Sequence, residues 1–263
     1  MLFYFGWVRA NAAFGYFGVD VSGLGFSTSD YLLRSINAAF RPLLLAGLVA
    51  VLATGVHQLL VAAAAGGGDR VPGWTRHIPL VALGVGLVLA AIGLSGIAVP
   101  DLGRELGVWL PLCLTIGFAL LAYAEFSWPR FRRRDAESPP QPARQLRTFL
   151  LVGLALMSLF WTVALYADQR GREVARSITR DLADRTEVVI YARQRLALSG
   201  PGVEVAALGL ADSKYQYRYS GLRLLVRSQD RYVLLPFDWT RGRGSAYVLR
   251  DDPDVRFEFI VQR

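Results

Sequence analysis

Four uninterrupted apolar runs dominate the first two thirds of the chain: Pro42 to Ala65, Pro79 to Val99, Val108 to Phe126 and Thr148 to Tyr166. None contains Lys, Arg or Asp, and the only acid, Glu125, stands at the end of the third. At about 1.5 Å per helical residue each run reaches across a hydrocarbon core of about 30 Å, so the pattern predicts four membrane-spanning helices. Aromatic residues such as Trp74, Trp109, Trp128, Trp161 and Tyr166 mark the predicted boundaries, where amphipathic rings settle.

Beyond Tyr166 the period changes. Val174, Ile178 and Leu182 recur every fourth residue, the stripe of a helix with one apolar face. Val188 to Tyr191 is a short apolar run; Tyr215, Tyr217 and Tyr219 alternate with polar residues, as do Leu222, Leu224 and Val226. Ser228-Gln229-Asp230 and Asp251-Asp252-Pro253-Asp254 are turn signals, followed by strand-like Tyr232 to Leu235 and by Val255, Phe257 and Phe259. These elements predict a helix on a mainly antiparallel sheet. Leu222, Leu224, Val226, Phe257 and Phe259 are expected to pack on the Val174, Ile178 and Leu182 face, leaving Arg218, Arg223 and Arg227 available to an acidic partner. The predicted architecture is therefore an α-helical transmembrane bundle over 1–167 and a small extracytoplasmic α+β domain over 168–263, the latter expected to fold alone from about Asp168.

Before the first run, Ser27-Thr28-Ser29-Asp30 has the form of a capping box. Asp30, Arg34, Asn37 and Arg41 follow at intervals of four, three and four, on one face of an amphipathic helix that enters the membrane through Pro42. An Asp30 to Arg34 pair is expected on that face, which is either a solvated surface or a surface for headgroups.

Charge placement sets the expected orientation. The loop from Ser127 to Arg147 carries Arg130, Arg132, Arg133, Arg134, Arg144 and Arg147, and the loop from Gly66 to Ile78 carries Arg70 and Arg76. Both are expected on the cytoplasmic side, which puts the Asp101 to Gly107 turn and everything after Tyr166 outside. The net charge of +8 is largely this arginine bias. Anionic lipids at the Arg130 to Arg134 loop are its expected partners, and no zinc finger, recognition helix or RNA-binding signature points to nucleic acid.

The segment Met1 to Val8 is apolar and aromatic but too short to span before Arg9, so it reads as an interfacial anchor or as the end of an incomplete first span. Tyr4-Phe5-Gly6-Trp7-Val8-Arg9, Tyr16-Phe17-Gly18-Val19-Asp20 and Ser27-Thr28-Ser29-Asp30-Tyr31-Leu32-Leu33-Arg34-Ser35, with Tyr219 to Ser228 and Tyr232 to Pro236, resemble segments of uncharacterised actinobacterial polytopic membrane proteins. That resemblance implies a complete helix in place of the first segment, hence a later start here than in the group, and no particular activity.

Candidate chemistry is sparse. Cys113 is the only cysteine and lies inside a run, and two histidines, His57 and His77, do not make a metal site. Gly66-Gly67-Gly68-Asp69-Arg70 lacks the lysine and the Ser or Thr of a phosphate loop. Asp230, Asp238, Asp251, Asp252 and Asp254 offer carboxylates without calcium-loop spacing. No cofactor, metal or catalytic constellation is expected. Ala82, Gly86, Ala90, Gly93 and Gly96 form a seam of small residues whose default use is packing within the chain. The expected binding residues are Asp30, Arg34, Asn37 and Arg41, and Tyr217, Arg218, Arg223 and Arg227. Two functions fit: a membrane anchor for an external binding or assembly domain, or a subunit of a homo-oligomeric channel or transporter.

Overall fold

The computed structural model describes residues 2–65, 77–131, 141–209 and 213–260. The glycine turn at Gly66 to Arg70, Arg76, the Arg132 to Arg134 cluster and the side chain of Arg130 fall outside the described parts. The chain forms two compact units, one of Met1–Ala38 with Ala167–Arg263 and one of Ala39–Tyr166.

The second unit holds the apolar helices. Among the described residues four helices are long and apolar enough to cross a membrane, with candidate stretches Ala39–Ala62, Ile78–Gly96, Trp109–Ser127 and Pro142–Arg180, the last of which is apolar as far as Tyr166. They belong to α2 (Thr28–Ala65), α3 (Ile78–Ala98), α5 (Trp109–Phe131) and α6 (Gln141–Arg180), with the short α4 (Pro100–Leu106) between the middle two. Pro42 lies inside α2; a proline there removes one intrahelical hydrogen bond, and the helix runs on through it. The small-residue seam is used within the chain, between α3 and α5. A Cβ on Gly117 would meet the Gly86 carbonyl at 2.9 Å and the Ala90 nitrogen at 2.8 Å, so the two backbones touch where only glycine fits. His57 Nδ1 and the Tyr123 hydroxyl lie 3.0 Å apart, and Glu125 meets Arg147 at 3.6 Å. From Phe40 to Ala62 no residue is buried.

The first unit is built from both ends of the chain. α1 (Leu2–Gly15) buries Phe5, Gly6, Ala10 and Phe14, and Arg9 stands in mid-helix rather than ending it. A single 3-10 turn follows (Val21–Leu24), opened by Asp20, whose Oδ1 accepts from the Ser22 amide at 3.0 Å, and closed by Gly25 at φ 68°. The capping box is present at the start of α2. Asp30 Oδ2 accepts from the amide and hydroxyl of Ser27, both at 2.8 Å, and the Asp30 amide donates to Ser27 Oγ at 3.2 Å.

Among the described residues six antiparallel strands make the sheet: β1 (Glu187–Ala192), β2 (Glu204–Ala207), β3 (Tyr217–Ser228), β4 (Arg231–Pro236), β5 (Tyr247–Arg250) and β6 (Val255–Ile260). Their order is β5-β4-β3-β1-β6, with β2 beside the first half of β3. Two irregularities shape it. Between the pairs Val188–Leu222 and Ile190–Tyr219, β3 carries one residue more than β1. Gly221 sits in that bulge at φ +77°, and a Cβ there would collide with the Gly202 carbonyl. Farther along, Leu224 pairs with Leu234 but Val226 pairs with Val233, so Leu225 is an extra residue.

That second bulge corrects the expected core. Alternation placed Leu222, Leu224 and Val226 on one face, yet the extra residue reverses the parity, and Leu225 and Val226 face away from Leu222 and Leu224. One core joins Leu225, Val233, Leu235 and Trp239 to Ala175 of α6 and Leu182 just beyond its end, and to Phe14, Phe17, Val19, Val21, Leu24 and Tyr31 of residues 1–38. The other joins Val188, Ile190, Tyr219, Leu222, Tyr232 and Leu234, with Leu224 and Phe257 at its margin. Leu222, Leu224 and Phe257 therefore do not pack on the helix. β4 is buried on both faces for this reason. The expected division put residues 1–38 with the spans; their side chains pack with residues after 167.

Candidate functional site: an aromatic concavity in the sheet

The sheet curls about its inner core. β4 and β6 lie three places apart in the strand order, about 14 Å across a flat sheet, yet the Tyr232 and Phe257 rings stack with centroids 4.3 Å apart and planes at 25°. Phe259 joins them at 5.9 Å. Val255, Phe257 and Phe259 of β6 share this face by the strand's period of two.

The open end of this curl is a concavity of about 630 Å³ floored by Tyr215, Tyr232, Phe257 and Phe259. Its rim is the link between β5 and β6, Asp251 to Asp254. The rim is held by the Asp251 amide donating to the Asp230 carbonyl at 2.6 Å, the Asp254 amide to Asp252 Oδ1 at 2.8 Å, and Lys214 Nζ to the Pro253 carbonyl at 2.8 Å. The Asp251 carboxylate has no hydrogen bond or ion pair among the described residues. Arg227 holds its guanidinium 5.1 Å from the Tyr232 ring centroid. Apolar faces with charged groups of both signs at the edge suit a ligand that has both a flat apolar side and polar substituents.

The expected binding residues do not gather at one place. Arg227 is exposed and reaches the aromatic floor, whereas Tyr217 is packed at the margin of the inner core and Arg218 is half-buried. Arg223 is the clear correction. Only 4% of its side chain is exposed; it meets Glu187 at 2.9 Å and lies 4.8 Å from the Phe237 ring, so it is not available to an outside partner. Its Nε has no hydrogen-bond partner. The carboxylate of Asp30 is engaged by Ser27, which holds its pKa below the ordinary value first through the hydroxyl and then through the amide, and no ion pair joins it to Arg34. Arg34 instead lies 4.4 Å from the Phe26 ring centroid and 5.6 Å from that of Phe14. Arg41 is exposed within the second unit, and the side chain of Asn37 lies outside the described residues. Among the described residues no three His, Cys, Asp or Glu side chains are grouped as metal ligands.

Sequence reasoning missed the aromatic floor because the alternation of Val255, Phe257 and Phe259 shows that these residues share a face but not that the face curls to meet Tyr232. No protein-family model, curated protein or solved structure matches the chain.

Proposed function

We propose that the protein is a membrane-anchored binding module, in which four spans hold an extracytoplasmic α+β unit whose aromatic concavity takes a saccharide of the cell envelope. The observation that carries this reading is the exposed Phe259 ring, backed by Phe257 and the buried Tyr232, beside an unengaged carboxylate and an exposed guanidinium. A pyranose ring presents C–H bonds on its faces and hydroxyls at its edge. The faces stack on aromatic rings, and the edge hydroxyls donate to Asp251 and accept from Arg227. The arginine bias of the loops supports the extracytoplasmic side.

The test is a glycan array probed with the detergent-solubilised full chain, alongside Phe257→Ala and Asp251→Asn. The expected result is retention of a restricted set of oligosaccharides by the wild type and loss with both variants. Binding unchanged in Asp251→Asn and Phe257→Ala, or no glycan retained, overturns it. A homo-oligomeric channel is the second reading, favoured by the absence of any buried residue from Phe40 to Ala62; the mass of the protein in lipid nanodiscs decides between one copy and several.

A further inference from the structure

α1 is locked between two other helices at glycines. A Cβ on Gly6 would collide with the Tyr31 carbonyl of α2, and one on Gly171 would collide with the Arg9 carbonyl. These backbone contacts bring Arg9, the start of α2 and the Arg170–Gly171 turn of α6 to one place. Arg9 Nη1 donates to the Arg34 carbonyl at 3.0 Å. The Arg34 guanidinium lies over the Phe26 ring, 4.4 Å from its centroid, and Arg170 is paired with Glu173 at 2.6 Å. All three arginines are half-buried.

Neither Arg9 nor Arg34 forms an ion pair with a carboxylate among the described residues. Glu173 serves Arg170, and the Asp30 carboxylate is hydrogen-bonded to Ser27 and reaches Arg34 only through space. Burial, then Arg34, then Arg170 pull the Arg9 pKa below its ordinary value, and burial does the same for Arg34. Guanidinium groups stay charged in proteins, so the cost of holding them together persists until an anion joins them.

Their place along the helices narrows the anion. Arg34 precedes the first span at Ala39 by five residues of one continuous helix, about 7.5 Å. Arg170 follows Tyr166, the end of the last apolar run, by four residues of another, about 6 Å. Both distances fall within the headgroup layer flanking a hydrocarbon core, where phosphate is the prevailing anion and where the fork of a guanidinium matches two phosphate oxygens. We propose that Arg9, Arg34 and Arg170 form a binding site for a phosphate-bearing anion, supplied by the headgroup of an anionic phospholipid.

The full chain, delipidated in detergent, is titrated with short-chain phosphatidylglycerol, with phosphatidylcholine of the same chain length, and with inorganic phosphate, binding being read by native mass spectrometry and by thermal shift. Phosphatidylglycerol is expected to bind about tenfold or more tightly than phosphatidylcholine, weakening with salt. Arg9→Gln with Arg34→Gln is expected to abolish the difference, Arg34→Lys to retain part of it, and Arg172→Gln, whose partner is Asp168, to leave it intact. Inorganic phosphate that competes with phosphatidylglycerol supports the shared chemistry. Phosphate binding without any preference for phosphatidylglycerol overturns the lipid source. Equal binding of the two lipids by the wild type overturns the site even where the double variant does not fold.

Discussion

Cutting the chain before Asp168 is the most searching perturbation of this fold. The sheet would keep its strands and its inner core but lose Phe14, Phe17, Val19, Val21, Leu24 and Tyr31 from the outer one. Leu225, Val233, Leu235 and Trp239, now nearly sealed, would face water. At about 1.5–3 kcal/mol for each large apolar side chain, that exposure forfeits on the order of 6–12 kcal/mol. The figure is an upper estimate, since Ala175 and Leu182 stay in place. It is nonetheless comparable to the whole stability of a domain, about 5–15 kcal/mol. The fragment 168–263 should therefore aggregate or show no cooperative transition, contrary to what its strand pattern suggests. Trp239 is its only tryptophan and reports the result. Its ring lies 5.0 Å from Phe17 and 6.1 Å from Tyr16, so its emission should shift red when those rings are removed. Residues 1–38 joined through a flexible Gly/Ser linker to 167–263 should restore a blue-shifted, cooperatively melting, monodisperse protein. A well-folded fragment 168–263 without them would refute the reasoning.

Gly221→Ala forces a side chain into φ +77° and onto the Gly202 carbonyl, and should cost upwards of about 3 kcal/mol, read as a fall in melting temperature of the linked unit. Glu187→Gln leaves Arg223 buried without its counter-ion and should cost about 2–3 kcal/mol, less than a fully buried pair because Glu187 is partly exposed; Arg223→Met with Glu187→Leu should recover most of it, and a double-mutant cycle measures the coupling. Ser27→Ala should cost about 1 kcal/mol of α2 capping. Because the folded pKa of Asp30 is depressed, its contribution is complete above the ordinary carboxylate value and lost as pH falls through the folded one, so the melting difference between wild type and Asp30→Asn should close only below about pH 4. For sidedness, Glu204→Cys in a Cys113→Ala background should react with an impermeant maleimide in intact cells and Ala143→Cys only after permeabilisation, since Glu204 and Ala143 are both exposed.

The helices were legible because their signal is local: a run of apolar residues of sufficient length is enough, and the Ser27 to Asp30 cap and the Gly86 seam each rest on neighbours one or two turns apart. Strands β1, β3, β4 and β6 were legible as strands for the same reason, whereas β2, exposed along its whole length, carries no such alternation. Their faces were not. One extra residue at Leu225 reverses the alternation, and nothing in Leu224-Leu225-Val226 marks which of three apolar residues is the odd one. The partnership of Phe14, Phe17 and Val21 with Val233 and Leu235 joins positions more than two hundred residues apart, beyond any periodicity. Arg223 looked like an exposed strand arginine because its fate depends on Glu187 across the sheet. The aromatic floor required the curl, which local pattern does not encode.

A unit assembled from both ends of a chain also has a history on the ribosome. Residues 1–38 emerge before the apolar helices, yet the strands that cover Phe14, Phe17 and Leu24 follow about 200 residues later, and at roughly 5–20 residues per second that is an interval of about 10–40 s. During it the amino-terminal segment waits with its aromatic face uncovered by those strands while the long apolar helices are made. If the four apolar helices cross a bilayer, an odd number of crossings would part residues 1–38 from residues 167–263, so closure of this unit would report an even number of inserted helices.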